Sequence, residues 1–185
     1  MRDLIRQAEV FGFHLAKLDV RQESSTVVRA VVHLVSASTG EDLLAMDEAA
    51  RAALLRRLLA APGLSLPEPE EVSEETRKVL ETFWRIRHAK EEHSGTPVET
   101  FILSMARNAS DVLSVQLLAR RAGLLEVEES GRCTANYLRV TPLFEIVDDL
   151  GRAPEALGHV LEDPFYRSSW IPACAGMTVM LRAIG

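Results

Sequence analysis

Three side chains in this sequence are of the types that hold anions and metal ions: Arg21 in LDVRQES, Arg107 in ILSMARN and Glu145 in PLFE. Arginine presents a planar fork of N–H donors that matches phosphate and carboxylate oxygens two at a time. A carboxylate beside such a fork can hold Mg²⁺ or Mn²⁺, which take one or two carboxylates and fill the remaining positions with substrate oxygens and water. Brought together, the three residues describe a site for a small anionic, phosphorylated substrate. Each also has an ordinary reading. Arg21 can pair with Asp19 or Glu23 on the same strand face, and Glu145 can be a surface carboxylate. The five histidines, His14, His33, His88, His93 and His159, show neither metal-ligand spacing nor a nucleophile beside them.

The elements that must position these residues are readable from periodicity. In LDVRQES the side chains alternate between faces, so Leu18 and Val20 share one face and Asp19, Arg21 and Glu23 the other. The residues from Phe11 to Ala16 lead into that strand, and residues 2–9 form a short amphipathic helix with Leu4, Ile5 and Ala8 on one side. Ser24 or Ser25 caps a helix through TVVRAVVHLVSAS, with Val28, Val31, Val32 and Val35 at helical spacing, although its β-branched content leaves a strand open. Asp47 caps a helix with the stripe Leu54, Leu55, Leu58 and Leu59, ended by Pro62 and Gly63. PGLSLPEPEEV reads as a linker. Ser73 then caps a helix whose core face is Val79, Leu80, Phe83 and Ile86.

The second half repeats a strand–turn–helix order. TFILSMA precedes a helix in NASDVLSVQLLARRAG, with Ser110 as its N-cap and Gly123 at its C-terminal end; NYLRVTPLFE precedes a helix in DDLGRAPEALGHVLED. This alternation predicts an α/β fold with a parallel sheet, in which the chemistry sits at the carboxyl ends of the strands. Arg21, Arg107 and Glu145 all fall at such ends. Pro142 requires that the third strand end nearby, or bulge there.

Composition bounds the alternatives. The chain has 185 residues, 47% apolar and 26% charged, with a net charge of −6. That is a globular composition, and the acidic balance argues against nucleic-acid binding, which relies on clustered Lys and Arg. Arg51, Arg56 and Arg57 cluster, but at the spacing of a solvated helix face. No segment approaches the roughly 20 apolar residues of a membrane span, the N-terminal residues lack a signal-peptide pattern, and Cys133 and Cys174 stand alone. The expected compartment is the cytoplasm.

The strings themselves carry a resemblance. VFGFHLAKLDVRQES, FILSMARNASDVLSVQLLARRAGL and LRVTPLFEIVDDLGRAPEAL with FYR resemble, in order, successive segments of bacterial phosphoenolpyruvate carboxylase, across most of residues 9–167. The resemblance implies part of an eight-stranded (β/α) barrel, helix-rich, from an enzyme that is normally a homotetramer. It implies Mg²⁺ (or Mn²⁺) as cofactor, and phosphoenolpyruvate and bicarbonate as substrates. In that reaction bicarbonate attacks the phosphoryl group, giving carboxyphosphate and the enolate of pyruvate; the enolate then captures the released CO₂ to give oxaloacetate and phosphate. Arg21 matches the substrate-binding arginine of the D-V/I-R-Q motif, and Glu145 the first metal carboxylate of P-L-F-E. Asp19, Gln22 and Arg107 take no assigned role.

The family's histidine motif T-A-H-P-T-E has no counterpart here, nor does the G-Y-S-D-S-x-K-D segment that supplies a second carboxylate and a lysine. The expectation is therefore an internal fragment of the family, residues 1–167, followed by a non-matching tail, 168–185, read through or frame-shifted. As written, the chain should lack activity. The alternative is a non-catalytic remnant that acts as a binding or interaction module.

Overall fold

A computed structural model describes residues 2–11, 18–63, 65–92 and 97–170. The expected lead-in to the first strand, Phe11 to Ala16, lies outside these residues except for Phe11, which ends α1 (Arg2–Phe11). Leu4 and Ile5 of α1 are exposed, so the apolar stripe of that helix is uncovered by the described residues.

β1 (Leu18–Glu23) passes directly into α2 (Ser24–Thr39). The β-branched stretch is helical because its apolar positions recur at 27, 30, 31, 34 and 35. All five side chains on that face, Val27, Ala30, Val31, Leu34 and Val35, are buried. Burying a large aliphatic side chain stabilises by about 1.5–3 kcal/mol, against a helix-propensity cost for valine of no more than about 0.7 kcal/mol. Packing wins. The buried stripe is one step removed from the expected one: Val28 and Val32 lie at its margin. The N-cap is Glu23, without a side-chain cap, rather than Ser24 or Ser25. Ser24 has another partner, described below.

After a 3₁₀ turn at Leu43–Ala45, Asp47 accepts a hydrogen bond from the Ala50 N–H at 2.8 Å and opens α3 (Glu48–Ala60) as expected. The expected linker contains a second 3₁₀ turn, Pro69–Glu71, and buries Leu66. Ser73 accepts from the Thr76 N–H at 3.3 Å at the start of α4 (Glu74–Glu92), whose predicted core face is buried in full. β2 (Val98–Ser104) leads to α5 (Ala109–Arg121). The N-cap of α5 is Asn108, not Ser110. Ser110 lies in the first turn, where its N–H and hydroxyl both donate to Glu48 of α3, at 2.9 and 2.7 Å. Residues 109–119 are all buried, so α5 is the central helix.

A short antiparallel pair follows, β3 (Leu125–Val127) and β4 (Cys133–Asn136), which the sequence pattern did not suggest. β5 (Arg139–Leu143), α6 (Val147–Glu162) and α7 (Pro164–Trp170) complete the described chain. The Cys133 thiol of β4 is free and buried and donates to the Ala135 carbonyl at 3.3 Å, and desolvation pushes it up to about 11.

β1, β2 and β5 form one parallel sheet in the order β1-β2-β5. Val20 lies beside Phe101 and Phe101 beside Val140, and this face packs against the helices. The next register, Arg21, Ile102 and Thr141, faces the other way. Pro142 is tolerated because it is the penultimate residue of an edge strand. Among the described residues the sheet is open, with three strands. The fold is therefore a helix-rich α/β arrangement around a small parallel sheet, and the described residues close no barrel. No described helix is long and apolar enough to cross a membrane.

The arginines of α3 lie on a partly solvated face, with the Arg56 and Arg57 side chains 41% and 66% exposed, and each also has a partner. Arg51 donates to the carbonyls of Leu43 and Met46, each at 3.1 Å; Arg56 pairs with the buried Asp163; and Arg57 holds Glu41 through two hydrogen bonds. Each ties α3 to a neighbouring segment.

Gly123, just past α5, has φ of +73°, and a β-carbon there would lie 1.8 Å from Arg87 Nη1, which donates to the Ala122 carbonyl. Gly123→Ala should therefore displace the guanidinium as well as strain the backbone. A loss of about 1–2 kcal/mol is expected, measured as a lower urea midpoint with unchanged m-value.

Candidate active site

The carboxyl ends of the three parallel strands define one rim, as chain order alone predicted for a parallel sheet. Arg21 stands near the end of β1, Arg107 in the turn after β2, and Glu145 two residues beyond β5. The Arg21 guanidinium donates to Glu145 Oε1, across the middle strand. Thus Arg21 pairs neither with Asp19 nor with Glu23. Glu23 instead accepts from Ser25 at 2.6 Å, and Asp19 is exposed beside a register shift between Leu18 and Val20. The side chains of Arg21 and Glu145 are 54% and 32% exposed. An ion pair this wet contributes about 0–1 kcal/mol, so an incoming anion or cation can displace either partner at small cost.

Arg107 reaches the same rim but meets a different acid. Its Nε lies 3.6 Å from Oδ2 of Asp149, a residue four positions beyond Glu145 and 3% exposed. Arg152 donates to the other oxygen, Oδ1, at 2.7 Å. Asp149 thereby anchors the turn after β2 to the first turn of α6. The DDL string contained this residue without marking it, because nothing local distinguishes its burial from the exposure of Asp148.

The backbone of the rim is tightly knit. The Ser104 hydroxyl donates to the Gln22 carbonyl at 3.2 Å, and the Ala106 N–H donates to the Leu143 carbonyl at 3.2 Å. Met105 has φ of +57°, a conformation disfavoured for a residue with a β-carbon, and its carbonyl accepts from the Ser24 hydroxyl at 2.7 Å. The Arg107 and Asn108 N–H groups both donate to Asp111 Oδ2, at 2.8 and 3.2 Å. Burial pushes the Asp111 carboxyl above its ordinary value, and these two hydrogen bonds work in the opposite direction. A four-residue turn is therefore held at both ends while its one long cation, Arg107, points to solvent and Asp149. Sequence reasoning missed Ser24, Asp111 and Asp149 as rim residues; only the S-D pair at the start of α5 is a local signal.

Gln22, beside Arg21, faces the helices instead: its Nε2 donates to Thr82 Oγ1 of α4 at 3.3 Å. For a metal ion, each rim carboxylate is already engaged: Glu145 by Arg21, Asp149 by Arg152 and Arg107, and Asp111 by two backbone N–H groups. Among the described residues no group of three or more His, Cys, Asp or Glu side chains could hold a metal. The described residues alone do not fit a complete metal centre.

Comparison with known proteins shows what the chain is similar to. A family model described as phosphoenolpyruvate carboxylase matches residues 1–181. The chain is 37% identical over 173 residues to the phosphoenolpyruvate carboxylase of Synechocystis sp., covering 91% of this chain and 16% of that protein. It is 40% identical over 169 residues to that of Roseiflexus castenholzii, again 91% of this chain and 18% of the relative. With the enzyme of Gloeobacter violaceus the figures are 40% over 173 residues, 90% and 18%. The chain thus spans less than a fifth of the length of the curated relatives it matches. The family match extends beyond residue 167, and α7 runs through that position, with Ser169 buried and accepting from Gln116 at 2.9 Å. Matched by the family model over nearly its whole length, and carrying the arginine and carboxylate strings on adjoining ends of one parallel sheet, the chain belongs to the phosphoenolpyruvate carboxylase family.

Proposed function

We propose that this chain carries the substrate-arginine and first metal-carboxylate portion of a phosphoenolpyruvate carboxylase site, and that it does not turn over by itself. The observation that carries the reading is the Arg21–Glu145 pair, formed by residues 124 positions apart, one near the end of β1 and one just beyond β5, the strands flanking β2. In the proposed role the Arg21 fork releases Glu145 and takes the phosphate or carboxylate of phosphoenolpyruvate. Glu145 would be one ligand of Mg²⁺, with the remaining ligands supplied from outside the described residues. The ion would stabilise enolate and phosphate charge when bound. The three-stranded sheet, parallel and covered by helices on one face, corresponds in this reading to an arc of the family's barrel. The expected non-matching tail at 168–185 stands against a family match that runs to residue 181; resequencing the locus tests whether a different reading frame begins there, and clean, unrelated flanks would count against it.

The experiment is a titration of the purified chain with phosphoenolpyruvate, with and without Mg²⁺, followed by NMR, beside an assay for bicarbonate-dependent oxaloacetate formation. Arg21→Gln should weaken binding by about tenfold or more, the value of a charge-assisted pair. Glu145→Gln should tighten binding without metal, because Arg21 loses its competitor, and should abolish any gain from Mg²⁺. Unchanged affinity in Arg21→Gln would overturn the binding role, and turnover above background would overturn the inactivity.

A second reading, a non-catalytic interaction module, is favoured by the apolar stripe on α6, where Val147, Leu150 and Leu157 are exposed. The three recur at helical spacing on one side of α6. Co-purification with a full-length carboxylase, lost on Leu150→Lys, would support it.

A further inference from the structure

The ladder of the parallel sheet ends at one register, Glu23, Ser104 and Leu143, just short of the rim. Beyond it on the middle strand lies the peptide unit between Met105 and Ala106. Its carbonyl accepts from the Ser24 hydroxyl at 2.7 Å, and its N–H donates to the Leu143 carbonyl at 3.2 Å. The C=O and N–H of a trans peptide point in opposite directions within one plane. This single unit therefore spans from the end of β1 to the end of β5. Those two strand ends carry the charges of the rim: Arg21 lies three residues before Ser24, and Glu145 two residues after Leu143.

The orientation of the unit requires Met105 at φ of +57°, and among the described residues Met105 is the one non-glycine residue with positive φ. A β-carbon crowds the backbone in that region. Such conformations persist where the surroundings over-determine them, and they gather at functional sites. Here the surroundings are specific. Ser24 is 7% exposed and directs its hydroxyl across to Met105 rather than capping its own helix, whose N-cap is Glu23. The Ser104 hydroxyl adds a second tie to β1, at the Gln22 carbonyl. On the far side, the Arg107 and Asn108 N–H groups are fixed on Asp111.

We propose that Ser24 is a positioning residue of the rim. By fixing the Met105–Ala106 peptide as a crossbar between β1 and β5, it sets the separation of Arg21 and Glu145, and with it the affinity for a phosphorylated carboxylate. Ser24 acts through the backbone, not by contact with the ligand. The assignment rests on the role proposed above for Arg21.

The test uses the full 185-residue chain, titrated with phosphoenolpyruvate by NMR. The Arg21 Nε–H signal is followed in the free chain, and urea unfolding is measured beside it. Ser24→Ala should weaken binding about fivefold per folded molecule and shift the Arg21 signal. Ser24→Thr, which keeps the hydroxyl, should restore both. Glycine takes a positive φ without the clash, so Met105→Gly makes the turn less dependent on Ser24. In that background Ser24→Ala should cost less than about twofold. A hydrogen bond that only stabilised the fold would lower the urea midpoint and move neither readout. An equal cost of Ser24→Ala in both backgrounds overturns the crossbar account. If Arg21→Gln weakens binding while Ser24→Ala does not, the positioning role is overturned and the function proposed above stands. If the parent chain binds no better than Arg21→Gln, that function fails, and the Arg21 signal decides the positioning role. A signal unchanged in Ser24→Ala overturns it; one shifted there and restored by Ser24→Thr upholds it.

Discussion

Phe101→Ala is expected to destabilise the chain by about 3–5 kcal/mol, the cost of deleting a large aromatic ring from a packed interior. Phe101 is fully buried on the central strand, and its ring stacks on Phe83 of α4 with centroids 5.0 Å apart and planes inclined by 22°. The alanine variant loses the area burial and the ring–ring contact together, and leaves a cavity between sheet and helix. β2 is also the strand across which Arg21 and Glu145 meet, so loosening it loosens the rim. Urea unfolding followed by circular dichroism should show the loss, and amide exchange should rise in β1 and β5 before it rises in α3. A cost below about 1 kcal/mol would contradict the observed packing.

Arg120→Ala is the second large effect, expected at about 3 kcal/mol from hydrogen bonds that carry a charge. Arg120, in the last turn of α5, donates to three carbonyls at the end of α3: Leu58 at 2.8 Å, Leu59 at 2.6 Å and Ala61 at 2.5 Å. The last carbonyls of a helix lack intrahelical donors, and a cation there also opposes the negative end of the helix dipole. Removing it takes this donor from the Leu59 and Ala61 carbonyls together, while the Leu58 carbonyl keeps the Ala61 N–H at 3.3 Å. Arg120→Lys should recover only part of the loss, because an ammonium group cannot span three carbonyls as a fork does. Equal stability of the lysine variant and the parent would contradict this account.

The residues that read correctly from the sequence are those whose signal is local. Asp47 and Ser73 each precede a helical stripe with no rival cap nearby, and both cap as expected. Where rivals adjoin, the local rules divide: Asn108 and Ser110 both satisfy them, and the choice fell to Asn108 because Glu48, 62 positions away, engages Ser110. The helix over residues 24–39 was ambiguous for a related reason, since β-branched content and helical spacing disagreed and only burial against α4 and α5 resolved it. The β3–β4 pair was invisible because strands of three and four residues, interrupted by Glu126 and Thr134, carry too little periodicity to detect.

The candidate site divides in the same way. Alternation along LDVRQES by itself places Arg21 on the face opposite Val20, and the βα order places the rim at the strand ends. The motif strings by themselves determined the family. The partner of each charge was a different matter. Arg21 had two acids within two residues and took one 124 positions away; Arg107 took Asp149, buried by α6. Strand order decides such pairings, and strand order is set by how the helices pack, which no local window contains. The partner of Gln22 is tertiary for the same reason: it meets Thr82 of α4, 60 positions away, because the pleat turns that side chain away from Arg21.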